Sequence, residues 1–343
     1  MDLSLFDYEL PPDRIAQYPA EVRDESRLLV LDRTHDRLSD HVFTDLPDLL
    51  RPGDCLIIND SRVVPARVFG HLQDDREVEL LFLHEQKDGR WEILGRPARR
   101  LESGVEVALS DGQSRVRVIE RGSWGRRIVT VDTPDGVRSL LERHGFPPLP
   151  PYIRRFRKPE AEDWERYQAV YARHPGSVAA PTAGLHFTRE LLETLGARRI
   201  ECHPLTLHVG PGTFRPIRAQ RVEDHQMEAE WVTIPGPTAE AISRAKAERR
   251  RVIAVGTTVT RALESIALTR PLRAFTGWVD LFITPGHAFR VLDGLVTNFH
   301  LPRSSLLVLV SAFAGRERVL AAYRHAVAGG YRFYSYGDAM LIA

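Results

Sequence analysis

The sequence predicts an α/β main domain, a mixed sheet or barrel with helices, into which a small all-β barrel domain is inserted. Between about Ala66 and Leu140, six short runs of β-forming residues follow one another, separated by Gly, Asp and Ser. On either side of this block, apolar runs alternate with segments whose apolar residues recur at helical spacing. An inserted antiparallel barrel explains this order better than two domains in tandem.

The predicted main domain comprises residues 1–62 and 152–343, and the predicted barrel domain residues 63–151. Continuous apolar runs at 55–60 and 251–256 are typical of strands covered on both faces. The proline-rich stretch 147–153 is typical of a stiff, extended linker. The remaining periodic segments predict helices over 161–173, 188–196, 237–249, 259–268, 304–314 and 316–328, and a last strand over 331–342.

The composition is that of an ordinary globular protein, with 43% hydrophobic and 27% charged residues in a chain of 343. The two cysteines, Cys55 and Cys202, are far apart and not in a metal-binding spacing, which favours a reducing cytoplasm. Neither a membrane-length apolar run nor a secretory pattern is found, so we expect a cytoplasmic protein without membrane association. We also expect it to be a monomer. The net charge of +1 excludes no partner, and a polyanion would need a local basic patch.

Polar residues follow the run at 55–60, where ligand groups gather in α/β sheets. Asn59, Asp60 and Arg62 could contact a ligand there, or form a turn in which Arg62 pairs with Asp60. The run "LTLHVGPGTF" (205–214) has the same ambiguity. His208 stands at a predicted strand end before a glycine turn, where it could meet a ligand or cap the turn.

The segment "VIAVGTTVTRALES" (252–265) predicts a strand, a tight turn and a helix. Thr257 and Thr258 at the helix start offer free N–H groups and hydroxyls to a carboxylate or phosphate. Arg261 in the first turn is disfavoured by the helix dipole unless an anion sits there. An anion site is therefore favoured, while an ordinary helix start capped by Thr258 stays open.

Three further polar stretches carry imidazoles or carboxylates. The small residues of "SVAAPTAGLHFT" (177–188) predict a loop that lets the backbone approach a ligand closely and ends at His186 and Phe187. The loop "TNFHLPRSS" (297–305) groups Asn298, His300 and Arg303. In "DHQMEAE" (224–230) a proton-handling or solvated segment is favoured over a metal site, and its titratable residues are His225, Glu228 and Glu230.

Basic runs occur at 96–100, 154–158 and 249–251. Tyr152 and Phe156 near the second run could stack on nucleobases, although most such runs are solvated faces.

Taken together, these motifs resemble one family, the S-adenosylmethionine:tRNA ribosyltransferase-isomerases of queuosine biosynthesis. The resemblance runs nearly end to end and depends on several long motifs in the right order. Two positions depart from the family pattern, since a histidine often stands where Glu228 is and an aromatic residue where Thr284 is. The motifs are "LFDYELPPDRIAQYPAEVRDESRLLVLDR", "NDSRVVPAR", "PLPPYI", "RYQAVYA", "GSVAAPTAGLHFT", "LHVGPGTFRPI", "DHQMEAE", "VGTTVTRALE", "TNFHLPRSSLLVLVSAFAGRE" and "YRFYSYGDAMLI".

The resemblance implies transfer of the ribosyl portion of S-adenosylmethionine to a 7-aminomethyl-7-deazaguanine. The acceptor is the wobble base of a tRNA with a GUN anticodon, the product is epoxyqueuosine, and adenine and methionine leave. It also implies an α/β body with a β-barrel insert, no metal and no cofactor besides this cosubstrate.

Under this resemblance, His186, His208 and His300 are the candidates for the proton transfers, without one role assigned to each. His186 or Phe187 would lie against a ring of the nucleoside. The methionine carboxylate would bind at the predicted helix start, assisted by Arg261. The expected substrate-binding residues are Asn59, Asp60, Arg62, Thr182, Phe187, Gly210, Gly212, Thr213, Thr257, Thr258, Arg261, Asn298 and Arg303.

Two alternatives come from other classes. A methyltransferase using S-adenosylmethionine would need a glycine-rich loop after the first strand, and no such loop is found. A non-catalytic RNA-binding protein would fit the basic runs but leave the loop histidines unexplained.

Overall fold

A computed structural model describes residues 1–154, 159–214 and 217–343 and shows a mixed sheet with helices on both faces plus a closed barrel. The fold class predicted from the sequence is therefore confirmed. Its strands are β1 (Arg27–Asp32), β2 (Arg37–Val42), β3 (Cys55–Asn59), β4 (Ser61–Val63), β5 (Arg67–His71), β6 (Glu77–Glu85), β7 (Trp91–Arg96), β8 (Glu106–Leu109), β9 (Arg115–Arg121), β10 (Arg127–Asp132), β11 (His174–Ser177), β12 (Glu201–His208), β13 (Glu230–Ile234), β14 (Val252–Val255), β15 (Phe275–Val279), β16 (Gly294–Asn298) and β17 (Ala339–Ile342).

The helices cover the large sheet on both faces. Apolar residues of four of them pack on one face and those of two, α1 and α4, on the other. This burial on both sides explains why β3 and β14 are continuous apolar runs, as predicted. The helices are α1 (Leu46–Leu49), α2 (Gly136–His144), α3 (Asp163–Arg166), α4 (Arg189–Ala197), α5 (Gly236–Ala247), α6 (Thr257–Thr269), α7 (Ser305–Ala314) and α8 (Arg316–Ala328).

The large sheet has the strand order β15-β13-β12-β3-β14-β16-β17-β1-β2. Its centre is parallel, because β12, β3, β14 and β16 pair in the same direction. These four strands end at His208, Asn59, Val255 and Asn298, so their carboxyl ends meet at one edge of the sheet. That edge is where ligands bind in open α/β sheets.

The six strands predicted for the insert form a closed barrel in the order β10-β7-β6-β5-β8-β9. Their inward residues and Leu140 and Leu141 of α2 make a separate core. Arg126 links this barrel to the main domain, because its guanidinium contacts Glu92 at 2.5 Å and Glu228 at 2.6 Å. The predicted linker is packed rather than exposed, with Leu149 and Ile153 fully buried.

Two elements are shorter than predicted. The helix expected over 161–173 ends at Arg166, because Gln168 leaves it to hydrogen-bond with both the N–H and the carbonyl of Val63. The strand expected over 331–342 is limited to Ala339–Ile342, because Asp338 accepts the backbone N–H of Arg332 and closes a turn before it.

Within the described parts of the chain, we find no helix with the length and apolar character that a membrane span requires.

Candidate active site

A narrow crevice opens at the carboxyl ends of the parallel strands, and we refer to it below as the crevice. It encloses about 30 Å³ in this structure. Small and hydroxyl-bearing side chains dominate its wall, and no carboxylate or guanidinium lies among the described lining residues. The lining residues are Ala180, Pro181, Thr182, Ala183, Val209, Thr213, Gly256, Thr257, Thr258, Thr297, Asn298, His300, Leu306, Tyr334 and Ser335.

The start of α6 forms one side of the crevice. Gly256 precedes the helix with φ near 100°, a conformation that favours glycine, and no side chain caps the first turn. The first N–H groups of a helix lack intrahelical partners and carry the positive end of its dipole. This side of the crevice is therefore suited to an anionic group of a ligand.

Asn298 contributes an amide whose two ends have different surroundings. Its Nδ2 lies 3.0 Å from Nε2 of His186, while its Oδ1 is buried without a hydrogen-bond partner among the described residues. Since Nδ2 donates, Nε2 of His186 accepts, and the Nδ1–H of that imidazole donates to Ser26 at 2.7 Å. His186 therefore orients the amide of Asn298 and has no ring nitrogen left for a substrate.

His300 reaches the crevice with one ring nitrogen engaged. Its Nε2 lies 2.9 Å from the hydroxyl of Thr297, which itself donates to the carbonyl of Asn298. The hydroxyl thus accepts Nε2–H, and Nδ1 of His300 carries a lone pair with no hydrogen bond to a described residue. Burial lowers the pKa of His300 to about 3, and burial with the charges of Arg332 and Arg23 does the same for His186. Both imidazoles are neutral at pH 7.

His208 lines a second cavity, between the barrel and the main domain, which we refer to below as the cleft. The cleft has a volume of about 780 Å³, and Arg62, His84 and Trp164 also line it. The ring of His208 lies against Gly176, where an added Cβ would approach Cε1 to 2.8 Å. Burial and the nearby His174 lower the pKa of His208, and its Nδ1 lacks a partner among the described residues.

Glu230 organises the turn beneath the crevice. Its carboxylate accepts hydrogen bonds from Arg261 at 3.0 Å, from Thr213 at 2.8 Å and from the N–H of Gly210 at 3.3 Å. Arg261 is therefore neutralised inside the protein, and its other donors contact the carbonyls of Leu281 and Glu228. This ion pair, 3% exposed or less, braces the wall that carries Thr213.

Several other predicted site residues have partners within the protein. Asn59 bonds both backbone groups of Leu207, and Asp60 accepts from Thr206, so these two fasten β3 to β12. Phe187 is fully buried and packs edge-on against Phe43.

The remaining predicted residues lie apart from the crevice. Gly212 approaches Glu228 so closely that an added Cβ would lie 2.6 Å from its carboxylate. Burial lowers the pKa of His225, which packs edge-on against Phe282. Arg303 is exposed and pairs with Asp7. The basic run 154–158 falls, after Arg154, outside the described residues.

The structure therefore brings together Thr182, Thr213, Thr257, Thr258, Asn298 and His300, with His186 directly behind Asn298. Sequence reasoning missed Thr297, Tyr334 and Ser335. A signal existed for each, because Thr297 directly precedes Asn298 in one quoted motif, and Tyr334 and Ser335 lie in another, "YRFYSYGDAMLI". Among the described residues, no group of three or more His, Cys, Asp or Glu side chains is placed to hold a metal ion.

Comparison with known proteins identifies first the fold and then the family of this chain. The fold and the crevice define an α/β enzyme with an inserted barrel, and a solved structure shares this fold. It is the crystal structure of S-adenosylmethionine tRNA ribosyltransferase from Thermotoga maritima, with a TM-score of 0.58, 35% identity, and coverage of 99% of this chain and 100% of that one.

The family described as queuosine biosynthesis protein matches residues 3–342, and the chain belongs to this family. Curated relatives named S-adenosylmethionine:tRNA ribosyltransferase-isomerase match over the full length. Those from Heliobacterium modesticaldum and Moorella thermoacetica are 51% and 50% identical and are covered, like this chain, over 100% of their length. The family and the enzyme class expected from the sequence are thus confirmed.

Proposed function

We propose that this enzyme transfers and isomerises the ribosyl portion of S-adenosylmethionine onto a 7-aminomethyl-7-deazaguanine in tRNA. The acceptor is the wobble base of a GUN anticodon, and the product is epoxyqueuosine. The observation that carries the proposal is the convergence, in one crevice, of an uncapped helix start, an unpartnered amide oxygen and a free imidazole nitrogen among the described residues. The names of the relatives contain S-adenosylmethionine and tRNA as the two substrates, which supports the proposal.

The reaction makes three demands on the site. A base removes a proton from the 5′ carbon beside the sulfonium, adenine takes a proton or hydrogen bond as it leaves, and the acceptor amine loses a proton when it attacks. Methionine departs as a neutral thioether, so the positive charge of the sulfonium is discharged and one proton is released overall. Each positioned proton transfer contributes about a hundredfold or more in rate.

We assign these demands to the crevice as follows. The start of α6 binds the methionine carboxylate through the N–H groups of Thr257 and Thr258. Oδ1 of Asn298 accepts a hydrogen bond from the amine or a ribose hydroxyl. His300 is the proton acceptor, because its Nδ1 is free of described partners and its imidazole is already neutral. His186 is a positioning residue that acts through Asn298.

A volume of about 30 Å³ is too small for a nucleoside, so binding must displace part of the wall. The loop at 180–183 and the turn at Tyr334 and Ser335 are two parts of the wall that lie outside the regular strands and long helices. We further propose that the enzyme works as a cytoplasmic monomer without metal or added cofactor.

Product analysis tests the proposal. Incubation of the enzyme with S-adenosylmethionine and tRNA containing 7-aminomethyl-7-deazaguanine is expected to release adenine and methionine in equal amounts. S-Adenosylhomocysteine would instead show a methyltransferase, and tRNA binding without any product would show a non-catalytic RNA-binding protein. Either result would overturn the proposal.

A further inference from the structure

Three arginines from distant parts of the chain converge on a narrow pocket next to the crevice. Arg23, Arg166 and Arg332 line it together with His186, and Ser335 belongs to both cavities. We refer to this site as the arginine pocket. Its volume is about 20 Å³, which admits the oxygen atoms of a tetrahedral anion at its mouth but not a nucleobase.

Backbone carbonyls hold the three guanidinium groups in place. Arg23 donates to the carbonyl of Leu185 at 3.1 Å, Arg166 to that of Glu21 at 3.1 Å, and Arg332 to that of Tyr18 at 3.2 Å. Carbonyl acceptors fix the position of a guanidinium but leave its full positive charge. The arrangement is therefore preorganised for an anion.

The positive charge of the pocket is poorly neutralised. Among the described residues, no carboxylate lies within 4.0 Å of Arg23 or Arg166, although Glu165 acts on Arg23 from further away. Arg332 has only Asp338, at 3.9 Å, among the described carboxylates. Burial and the like charge of Arg166 both lower the pKa of Arg23, and Nε of Arg166 is buried without a described partner.

We propose that the arginine pocket binds one phosphodiester of the tRNA backbone, next to the nucleotide whose base enters the crevice. This inference rests on the proposed function, since it needs an RNA substrate. Guanidinium groups favour phosphate because their planar fork matches its oxygens. The shared residue Ser335 and the bond between His186 and Asn298 make the pocket adjacent to the crevice.

The test is binding of an anticodon stem-loop RNA to the full-length enzyme at several salt concentrations. Arg332→Gln and Arg166→Gln are expected to weaken binding about tenfold or more, because each removes a charge-assisted hydrogen bond. The slope of log affinity against log salt should fall by about 0.7 for each phosphate that the variant no longer neutralises. The matched control is Arg318→Gln, an exposed arginine that pairs with Asp36, and it should leave both quantities unchanged.

A second series identifies the phosphate. Stem-loops in which a single phosphodiester near the wobble nucleotide is replaced by an uncharged methylphosphonate are compared on wild type and on Arg332→Gln. One position should weaken binding to wild type about tenfold and have little effect on the variant. Arg332→Lys should restore part of the affinity, because it restores the charge without the fork.

The outcomes separate this inference from the proposed function. Intact adenine release and unchanged RNA affinity in both Gln variants would overturn the arginine pocket alone. Equal effects of each methylphosphonate on RNA binding by wild type and variant would also overturn it. So would binding of inorganic phosphate in the pocket if no single methylphosphonate substitution weakened RNA binding. Arg332→Gln could also lose S-adenosylmethionine binding or melt at a lower temperature. If Arg332→Lys then fully restored that binding or that melting temperature, the proposal would be overturned, because Arg332 would only brace the fold.

Discussion

The crevice and the cleft begin at adjacent residues of one strand end, yet they offer opposite environments. Val209 faces the narrow crevice, whose imidazole is neutral and whose described lining carries no formal charge. His208 faces the cleft, which is about 780 Å³ in volume and bordered by exposed charged residues such as Arg62 and Arg138. Of the three histidines predicted to be catalytic, His186 and His300 are buried, whereas His208 is only half-buried. The three share one residue type, so burial is what distinguishes them.

The largest expected effect concerns the wall of the crevice. Arg261→Met leaves Glu230 buried without its cation, so the free energy of unfolding should fall by about 3–5 kcal/mol. Urea unfolding measures this loss. The control Arg303→Met breaks an exposed pair and should cost about 1 kcal/mol or less. A stable Arg261→Met enzyme that binds S-adenosylmethionine poorly would instead assign Arg261 to the ligand.

The next effect compares the catalytic contribution of His300 in the crevice with that of His208 in the cleft. His300→Gln should lower single-turnover adenine release about a hundredfold or more, because the amide can still bond Thr297 but cannot take a proton. Binding of S-adenosylmethionine, measured by calorimetry, should be retained. The matched variant His208→Gln should release adenine at close to the wild-type rate at saturating tRNA. The reverse pattern would move the proton acceptor into the cleft.

A further effect is a pH dependence of stability. His300 and His186 have a pKa of about 3 when folded, against an ordinary value of 6.5, so the unfolded chain binds more protons between these limits. Their contribution is complete above about pH 6.5 and is lost as the pH falls towards 3, by about 1.4 kcal/mol per pH unit for each histidine. Urea unfolding from about pH 7 to about pH 4 should show a shallower decline in His300→Gln than in wild type. Parallel curves would mean that His300 titrates normally in the folded state.

Much of the fold could be read from local patterns. The six barrel strands and helices α4 to α8 follow from periodicity, because each pattern reports the burial of its own side chains. The end of α3 and the short β17 could not be predicted, since Gln168 and Asp338 bond to backbone that is distant along the chain or across a turn.

The site was predictable only in part. Loop motifs marked Thr182, Thr257, Asn298 and His300, and these residues do line the crevice. The small residues at 180–184 also have a structural cause, since an added Cβ on Gly184 would lie 2.3 Å from the Tyr171 hydroxyl oxygen.

No local pattern grouped the residues of the arginine pocket, although each of its three arginines lies in one of the motifs quoted above. Its three arginines lie more than 100 residues apart, and the conspicuous basic runs at 96–100 and 249–251 do not contribute to it. Only the folded topology places such residues together.

The end of β12 has a consequence for how this protein can evolve. Successive side chains of an extended segment point to opposite sides, which is how His208 and Val209 come to face different cavities. Inserting or deleting one residue just before them would swap their directions, placing an imidazole in the crevice and a valine in the cleft. Length changes at this point should therefore be far less tolerated than amino-acid replacements, and natural variation in chain length should fall elsewhere.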